Sequence, residues 1–208
     1  MNAPVIAPTL LGLGLLSGGV ILGGLVVSIA SSSVRFWPHG DRDWTFWASW
    51  TAWTLYIGCL LGVAALDWWH WYRPSAAVQV GSLVVVLAGA ALSIWAVRVL
   101  GVRESTGLEG RLQIEGPYRW TRNPQYVGDV AILTGGAVLS GSWMTAVLAL
   151  VGIAWFLLAP FAEEPWLCER YGEAYEAYRA SVPRFVGLPD GRDTSGTDDN
   201  HDRGNHDR

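Results

Sequence analysis

Lysine is absent from this chain, so all 14 of its basic residues are arginines. Charge of either sign is scarce: 15% of the 208 residues are charged, where a soluble domain carries about 25%. Whole stretches have none, namely Val5 to Val34, Trp44 to Leu66, Pro74 to Val97 and Val130 to Ala162. Such runs exclude a soluble domain; no nucleic-acid partner is expected, and the net charge of −4, which comes largely from the acidic tail, says little about partners. Cysteine is nearly missing too. Cys59 lies inside one apolar run and Cys168 beyond the last, a spacing that suits neither a disulfide nor redox chemistry, and no metal site is expected. No internal repeat is evident. No basic residue precedes the first apolar run, which is also too long for the apolar part of a signal peptide, so it reads as a retained span.

What the chain does have is hydrophobic mass: 51% of its residues and a mean hydropathy of +0.26. A bilayer core takes about 20 apolar residues per helix. The first three runs therefore fit one span each, at about 5–30, 45–66 and 75–97. The fourth is too long for one. Ser140-Gly141-Ser142-Trp143 in its middle is turn chemistry, dividing it into helices at about 125–139 and 144–162, the first of them short. Lipid offers no partner to a backbone amide, so every span is helical. The expected fold is all-α: a polytopic membrane protein of five transmembrane helices with a C-terminal helical hairpin, one domain over residues 1–187. Residues 188–208 are polar with nothing to bury, and a disordered tail is expected there. The glycines of the first span suit close helix packing. In this topology Arg35, Arg42, the arginines from Arg98 to Arg122 and those of the tail share one side, and Arg73 stands alone on the other. The positive-inside rule puts the arginine-rich side and the C-terminus in the cytosol and the N-terminus outside, in an inner or plasma membrane.

The segment 67–73, Asp-Trp-Trp-His-Trp-Tyr-Arg, reads as an aromatic belt at headgroup level rather than a binding site. Two other clusters flank the last apolar run. The first is Gly116-Pro117-Tyr118-Arg119-Trp120-Thr121-Arg122-Asn123-Pro124-Gln125-Tyr126. Gly116-Pro117 is a turn, and Asn123-Pro124 starts a helix with Asn capping and Pro in its first position. Tyr126 and Asp129 follow in the first turns, where Asp suits the dipole. The second cluster is Glu163-Glu164, expected to end the last span. A helix C-terminus disfavours negative charge, so acid there points to a ligand. A closed hairpin returns the pair beside Asn123 and Tyr126, within reach of Arg119 or Arg122. The plain alternatives are a re-entry loop whose arginines bind lipid phosphate and a solvated cap on the last helix.

The order GPYRxxRxPxY, apolar hairpin, Glu-Glu, then Tyr171-Gly172-x-x-Tyr175-x-x-Tyr178 resembles the isoprenylcysteine carboxyl methyltransferase and phospholipid methyltransferase superfamily, over roughly Ser75 to Val186. The resemblance implies an integral membrane enzyme that uses S-adenosyl-L-methionine, with a cytosolic cofactor pocket and a lipophilic or lipid acceptor arriving from the bilayer. By position it implies that Gly116, Pro117, Tyr118, Arg122, Asn123, Pro124 and Tyr126 line the cofactor, while Glu163 and Glu164 hold its ammonium or ribose hydroxyls. Carboxylates and aromatic faces both favour a cation, and in-line methyl transfer asks mainly for positioning. Asp129, Tyr126 or Glu163 would serve as base where the acceptor needs one. Two departures stand out. Asn123 replaces the family's histidine and cannot titrate near neutrality. No arginine lies between Arg122 and Arg170, and Pro160 and Phe161 stand where a cation for a prenylcysteine carboxylate would be sought. The acceptor is thus open among a prenylcysteine carboxylate, a lipid amine and a small lipophilic molecule. Asn123-Pro124-Gln125-Tyr126-Val127-Gly128-Asp129 also resembles NADPH-dependent sterol and steroid reductases, and a non-catalytic lipid-binding or assembly protein is a third reading.

Overall fold

The computed structural model describes residues 3–31 and 35–187, so the tail expected over 188–208 lies outside the described residues. The chain forms helices α1 (Ala3–Ala30), α2 (Trp44–Leu66), α3 (Ala76–Leu100), α4 (Val102–Ser105), α5 (Pro124–Ser140), α6 (Trp143–Tyr171) and α7 (Glu173–Ser181), with one 3₁₀ turn at Gly116–Arg119. Four are long and apolar enough to cross a membrane: Val5–Ala30, Trp44–Leu66, Ala76–Leu100 and Trp143–Tyr171. The fifth expected span, α5, has 17 residues, about 26 Å of helix against roughly 30 Å of hydrocarbon.

Local chemistry sets the boundaries. Asp43 caps α2 by accepting from the Phe46 amide at 3.0 Å, and Ser142 caps α6 by accepting from the Thr145 amide at 3.1 Å. The predicted turn between α5 and α6 is present. Gly141 ends α5 with φ of 56°, and a Cβ there would stand 2.1 Å from the Tyr72 carbonyl oxygen, so only glycine fits. The 67–73 segment packs on this turn. Trp69 donates its amide to the Ser140 carbonyl at 2.7 Å and its indole to the Leu139 carbonyl at 3.2 Å, and Ser142 donates to Asp67. The two bonds from Trp69 satisfy carbonyls that α5 leaves open at its end. Trp68, Trp71 and Tyr72 are exposed as a belt requires, while Trp69 has this second task.

One expectation is corrected. The last span does not end before Glu163: α6 continues through Pro160 and Pro165 to Tyr171. The carboxylates therefore sit inside a helix, and the argument from its C-terminal dipole does not apply. Charge marks where the helix leaves the apolar layer, whereas the helix itself stops at Gly172, which has φ of 53°.

Packing divides into two seams joined by α6. On one side α3 lies along α5 at close range. A Cβ on Gly128 would meet Ser93 Oγ at 2.3 Å and the Gly89 carbonyl at 2.5 Å, the small-residue approach typical of membrane helices. On the other side α1 and α2 pack on α6 around Ile21, Leu25, Tyr56, Val63, Leu148 and Trp155. At the arginine-rich end the α1–α2 loop meets the segment after α3 through the Gly40 amide and the Gly107 carbonyl at 2.9 Å.

Candidate active site

The 116–126 motif is locked to the chain's far end. Arg122 donates its amide to the Pro183 carbonyl at 2.9 Å. The Thr121 hydroxyl and the Asn123 side-chain amide both donate to the Arg184 carbonyl, at 3.0 and 2.9 Å. Asn123 is the residue before α5, as expected, but its side chain makes no cap bond to the helix; it holds the tail segment instead.

That lock delivers the missing cation. Arg184 grips Glu164 with two parallel bonds, Nε to Oε1 at 2.7 Å and Nη2 to Oε2 at 2.8 Å. Its guanidinium carbon lies 4.2 Å from the centre of the Phe161 ring, beside the position at which sequence spacing finds no arginine. Arg122 Nη1 approaches Glu164 Oε1 at 3.2 Å, both side chains being almost fully enclosed. Arg119, the alternative partner, is exposed at the surface.

Glu163 has different company. Its Oε1 accepts from the Tyr126 hydroxyl and from the Trp37 indole N–H, and no arginine or histidine pairs with it within 4.0 Å among the described residues. Adjacent residues on a helix point about 100° apart, which is why the two carboxylates meet different walls.

Both glutamates border a cavity with about 890 Å³ of empty space, part of it open to solvent. Trp37 and Pro38 form one wall, Tyr118, Arg122, Asn123 and Tyr126 a second, and Tyr175 and Tyr178 of α7 a third. Residues between Leu100 and Gln113 form the roof. Arg170 fastens that roof through paired 2.6 Å bonds to Glu109, with the Tyr171 hydroxyl donating to the Gly110 carbonyl at 2.9 Å. Burial pushes the phenols of Tyr118, Tyr175 and Tyr178 above their ordinary range, so they stay protonated. His39, beside Trp37 in the α1–α2 loop, has its pKa lowered to about 4 by burial, with Asp43 opposing that shift. It is neutral near pH 7.

Of the predicted cofactor residues, Tyr118, Arg122, Asn123, Tyr126, Glu163 and Glu164 line the cavity. Gly116, Pro117 and Pro124 do not; they shape the backbone behind it, with φ of 58° at Gly116 and both prolines fully buried. Asp129 does not line it either. It accepts from the Ser93 hydroxyl at 2.8 Å on the α3 seam. Sequence reasoning missed Trp37 and the placement of Arg184. Trp37 lies 126 residues from Glu163, and its only signal is an indole beside Pro38 in a short polar loop.

Residues 77–174 match the family model described as phospholipid methyltransferase. Over 78 residues the chain is 34% identical to a protein-S-isoprenylcysteine O-methyltransferase of Schizosaccharomyces pombe, covering 37% of this chain and 33% of that protein. Over 120 residues it is 27% identical to steroid 5-alpha-reductase DET2 of Solanum lycopersicum, covering 58% of this chain and 45% of that protein. The chain thus spans less than half the length of these relatives. No solved structure matches. The matched region takes in nearly all of α3, with α5, α6 and both glutamates, and over it the chain is similar to membrane methyltransferases.

Proposed function

We propose that this protein transfers a methyl group from S-adenosylmethionine to a lipophilic acceptor at the arginine-rich, cytosolic face of the membrane. The observation that carries the reading is Glu163, a recessed carboxylate that borders the cavity and, among the described residues, is held by the neutral donors Tyr126 and Trp37. A carboxylate in that setting gains most when a cation arrives. When bound, the cofactor supplies an electrophilic methyl group on a cationic sulfonium and carries a separate ammonium. Glu163 balances that charge, while the Tyr126 hydroxyl and the Trp37 indole keep its carboxylate aimed. Tyr118, Tyr175 and Tyr178 offer aromatic faces and neutral hydroxyls. Asn123 needs no titration in this scheme, because its amide is engaged in holding Arg184.

The other half of the pair bears on the acceptor. Glu164 is already held by Arg122 and Arg184. We take the acceptor to carry a carboxylate, since a protonated lipid amine gains little from a glutamate that two arginines already meet. A carboxylate acceptor is already a nucleophile and asks for no base, so this reading gives Tyr126 a positioning task and leaves Asp129 at the α3 seam.

The test is thermal unfolding of the detergent-purified protein with S-adenosylhomocysteine and, in parallel, NADPH. A ligand that binds only the folded state adds about 2.7 kcal/mol at a hundredfold excess over Kd. A rise with the homocysteine compound supports methyl transfer. The similarity to a steroid 5-alpha-reductase favours a second reading, NADPH-dependent reduction, and a rise with NADPH alone would establish that reading instead.

A further inference from the structure

We infer that the roof of the cavity reads a nucleoside through Glu104, whose carboxylate takes the vicinal hydroxyls of an unphosphorylated ribose and rejects a 2′-phosphate. The inference rests on the methyl-transfer reading for naming that nucleoside as part of S-adenosylmethionine. Glu104 borders the same cavity as Glu163 and Glu164, yet it differs from both. Glu164 meets Arg122 and Arg184, and Glu163 meets Tyr126 and Trp37. Among the described residues no arginine or histidine lies within 4.0 Å of the Glu104 carboxylate, and no hydrogen bond reaches it. The chain nevertheless makes a place for it. A Cβ on Gly110 would stand 2.0 Å from Glu104 Cγ and 2.2 Å from its Oε1, and one on Gly101 would stand 2.4 Å from its Oε2. Two missing side chains thus let the carboxylate lie across the backbone of the roof. Gly110 is itself fixed: its carbonyl accepts from the Tyr171 hydroxyl, and the preceding Glu109 pairs with Arg170. The next residue, Ser105, also borders the cavity, with a buried hydroxyl that has no hydrogen-bond partner among the described residues.

The surroundings select the occupant. Tyr171 lies within electrostatic reach of Glu104. With Leu100, Leu112 and Leu167 it borders the cavity and packs on the cluster that holds Tyr118 and Tyr178. Such walls suit a flat base. An ionised carboxylate accepts on both oxygens and donates nothing, so an unpaired one in a cavity asks for a ligand with two donors, which a ribose diol supplies. In dinucleotide-binding folds an acidic side chain reads a free 2′-hydroxyl, whereas a 2′-phosphate calls for arginine. The ammonium and sulfonium are the other groups that gain from a carboxylate, and Glu163 already meets that demand in the proposed function. Glu104 and Arg111 are the charged residues of the roof that border the cavity, and Arg111 is exposed. The charge on Glu104 therefore decides which ribose is accepted. With it present a 2′-phosphate meets repulsion, and without it Arg111 attracts that phosphate.

The experiment is calorimetric titration of the full chain in detergent with four probes: S-adenosylhomocysteine, its 2′-deoxy counterpart, adenosine and adenosine 2′-monophosphate. Removing the 2′-hydroxyl should weaken binding about ten- to hundredfold, the range for a hydrogen bond to an ionised group. In Glu104→Ala that ratio should fall to roughly one, because the hydroxyl has then lost its partner, and adenosine 2′-monophosphate should gain on adenosine. Gly110→Ala should lower the same ratio without touching the carboxylate's chemistry. Its backbone lies outside the left-handed region, and the added methyl displaces the Glu104 side chain. An unchanged unfolding midpoint shows that both variants fold. Equal binding of the two homocysteine compounds by the unaltered chain would overturn the proposal and needs no variant; so would a full ratio retained in Glu104→Ala. The two readings fail separately. Homocysteine binding with no loss for the 2′-deoxy compound removes the ribose role of Glu104 and keeps methyl transfer. Adenosine bound in preference to its 2′-monophosphate, with neither homocysteine compound bound, keeps the nucleoside site and removes methyl transfer. Binding of none of the four probes overturns both.

Discussion

Substituting the two adjacent glutamates one at a time should give opposite results, because their partners differ. Glu163→Gln keeps an oxygen to accept from Tyr126 and Trp37 and removes only the charge. A contact to an ionised group is worth about 1.5–3 kcal/mol, so the Kd for S-adenosylmethionine should rise roughly ten- to hundredfold. The ligand-free unfolding midpoint should barely move, since among the described residues no cation pairs with Glu163 and loses its partner. Glu164→Gln should do the reverse. It removes the charge that balances Arg122, whose side chain is 2% exposed against 9% for Glu164. Breaking a buried pair costs about 3–5 kcal/mol, or roughly 6–20 °C in a chain of this size. Calorimetric titration of both cofactor forms, with thermal unfolding of the same preparations, measures all four quantities. Weakening toward both S-adenosylmethionine and S-adenosylhomocysteine would place the ammonium at Glu163, and weakening toward the former alone would place the sulfonium there. Full cofactor affinity in Glu163→Gln would refute the charge argument.

Three further outcomes follow from the geometry. Gly128→Val puts a side chain where Ser93 Oγ and the Gly89 carbonyl leave 2.3 and 2.5 Å; overpacking costs about 1–3 kcal/mol, seen as a lower unfolding midpoint with the cofactor Kd unchanged in the surviving fold. His39 has its folded pKa lowered from 6.5 to about 4. Its contribution is therefore complete above pH 6.5 and falls as pH drops toward 4, and His39→Phe should flatten the unfolding midpoint across that window. Glu109→Gln releases a half-exposed ion pair on the cavity roof. Such pairs contribute about 0–1 kcal/mol, so stability should hold while stopped-flow measurements show faster cofactor dissociation.

Apolar runs and turn residues made most of the fold legible. A span of lipid-facing helix needs only length and the absence of charge, and α1, α2 and α3 meet their expected limits within a few residues. Ser140-Gly141-Ser142 was readable because one residue must take a positive φ and the next must cap a helix. The end of α6 was not, because hydropathy reports the edge of the apolar layer and says nothing about where backbone hydrogen bonds stop. Only Gly172, ten residues beyond Ala162, carries that signal. At the site, Tyr118, Arg122, Asn123 and Tyr126 were legible as a contiguous motif. Trp37 and Arg184 were hidden for a common reason. Each arrives by tertiary closure, Trp37 through the bridge from Gly40 to Leu108 and Arg184 through the bonds of Thr121 and Asn123 to its backbone.

The continuing helix also changes what the glutamate pair can do. At a frayed helix end, two neighbouring carboxylates could turn toward one ligand. Inside α6 they are held about 100° apart, and each meets its own set of partners. The chain supplies its own cations to one of them. Arg184 is carried to Glu164 by the same carbonyl that Asn123 holds, so Asn123 acts through a hydrogen bond that places an arginine. Glu163 is left with neutral donors and the cavity before it. The asymmetry distinguishes the two carboxylates: among the described residues Glu163 meets neutral donors, while Glu164 meets Arg122 and Arg184. Under the proposed methyl transfer, a ligand's cation is therefore better placed against Glu163 than against Glu164, whose charge the chain's own arginines already meet.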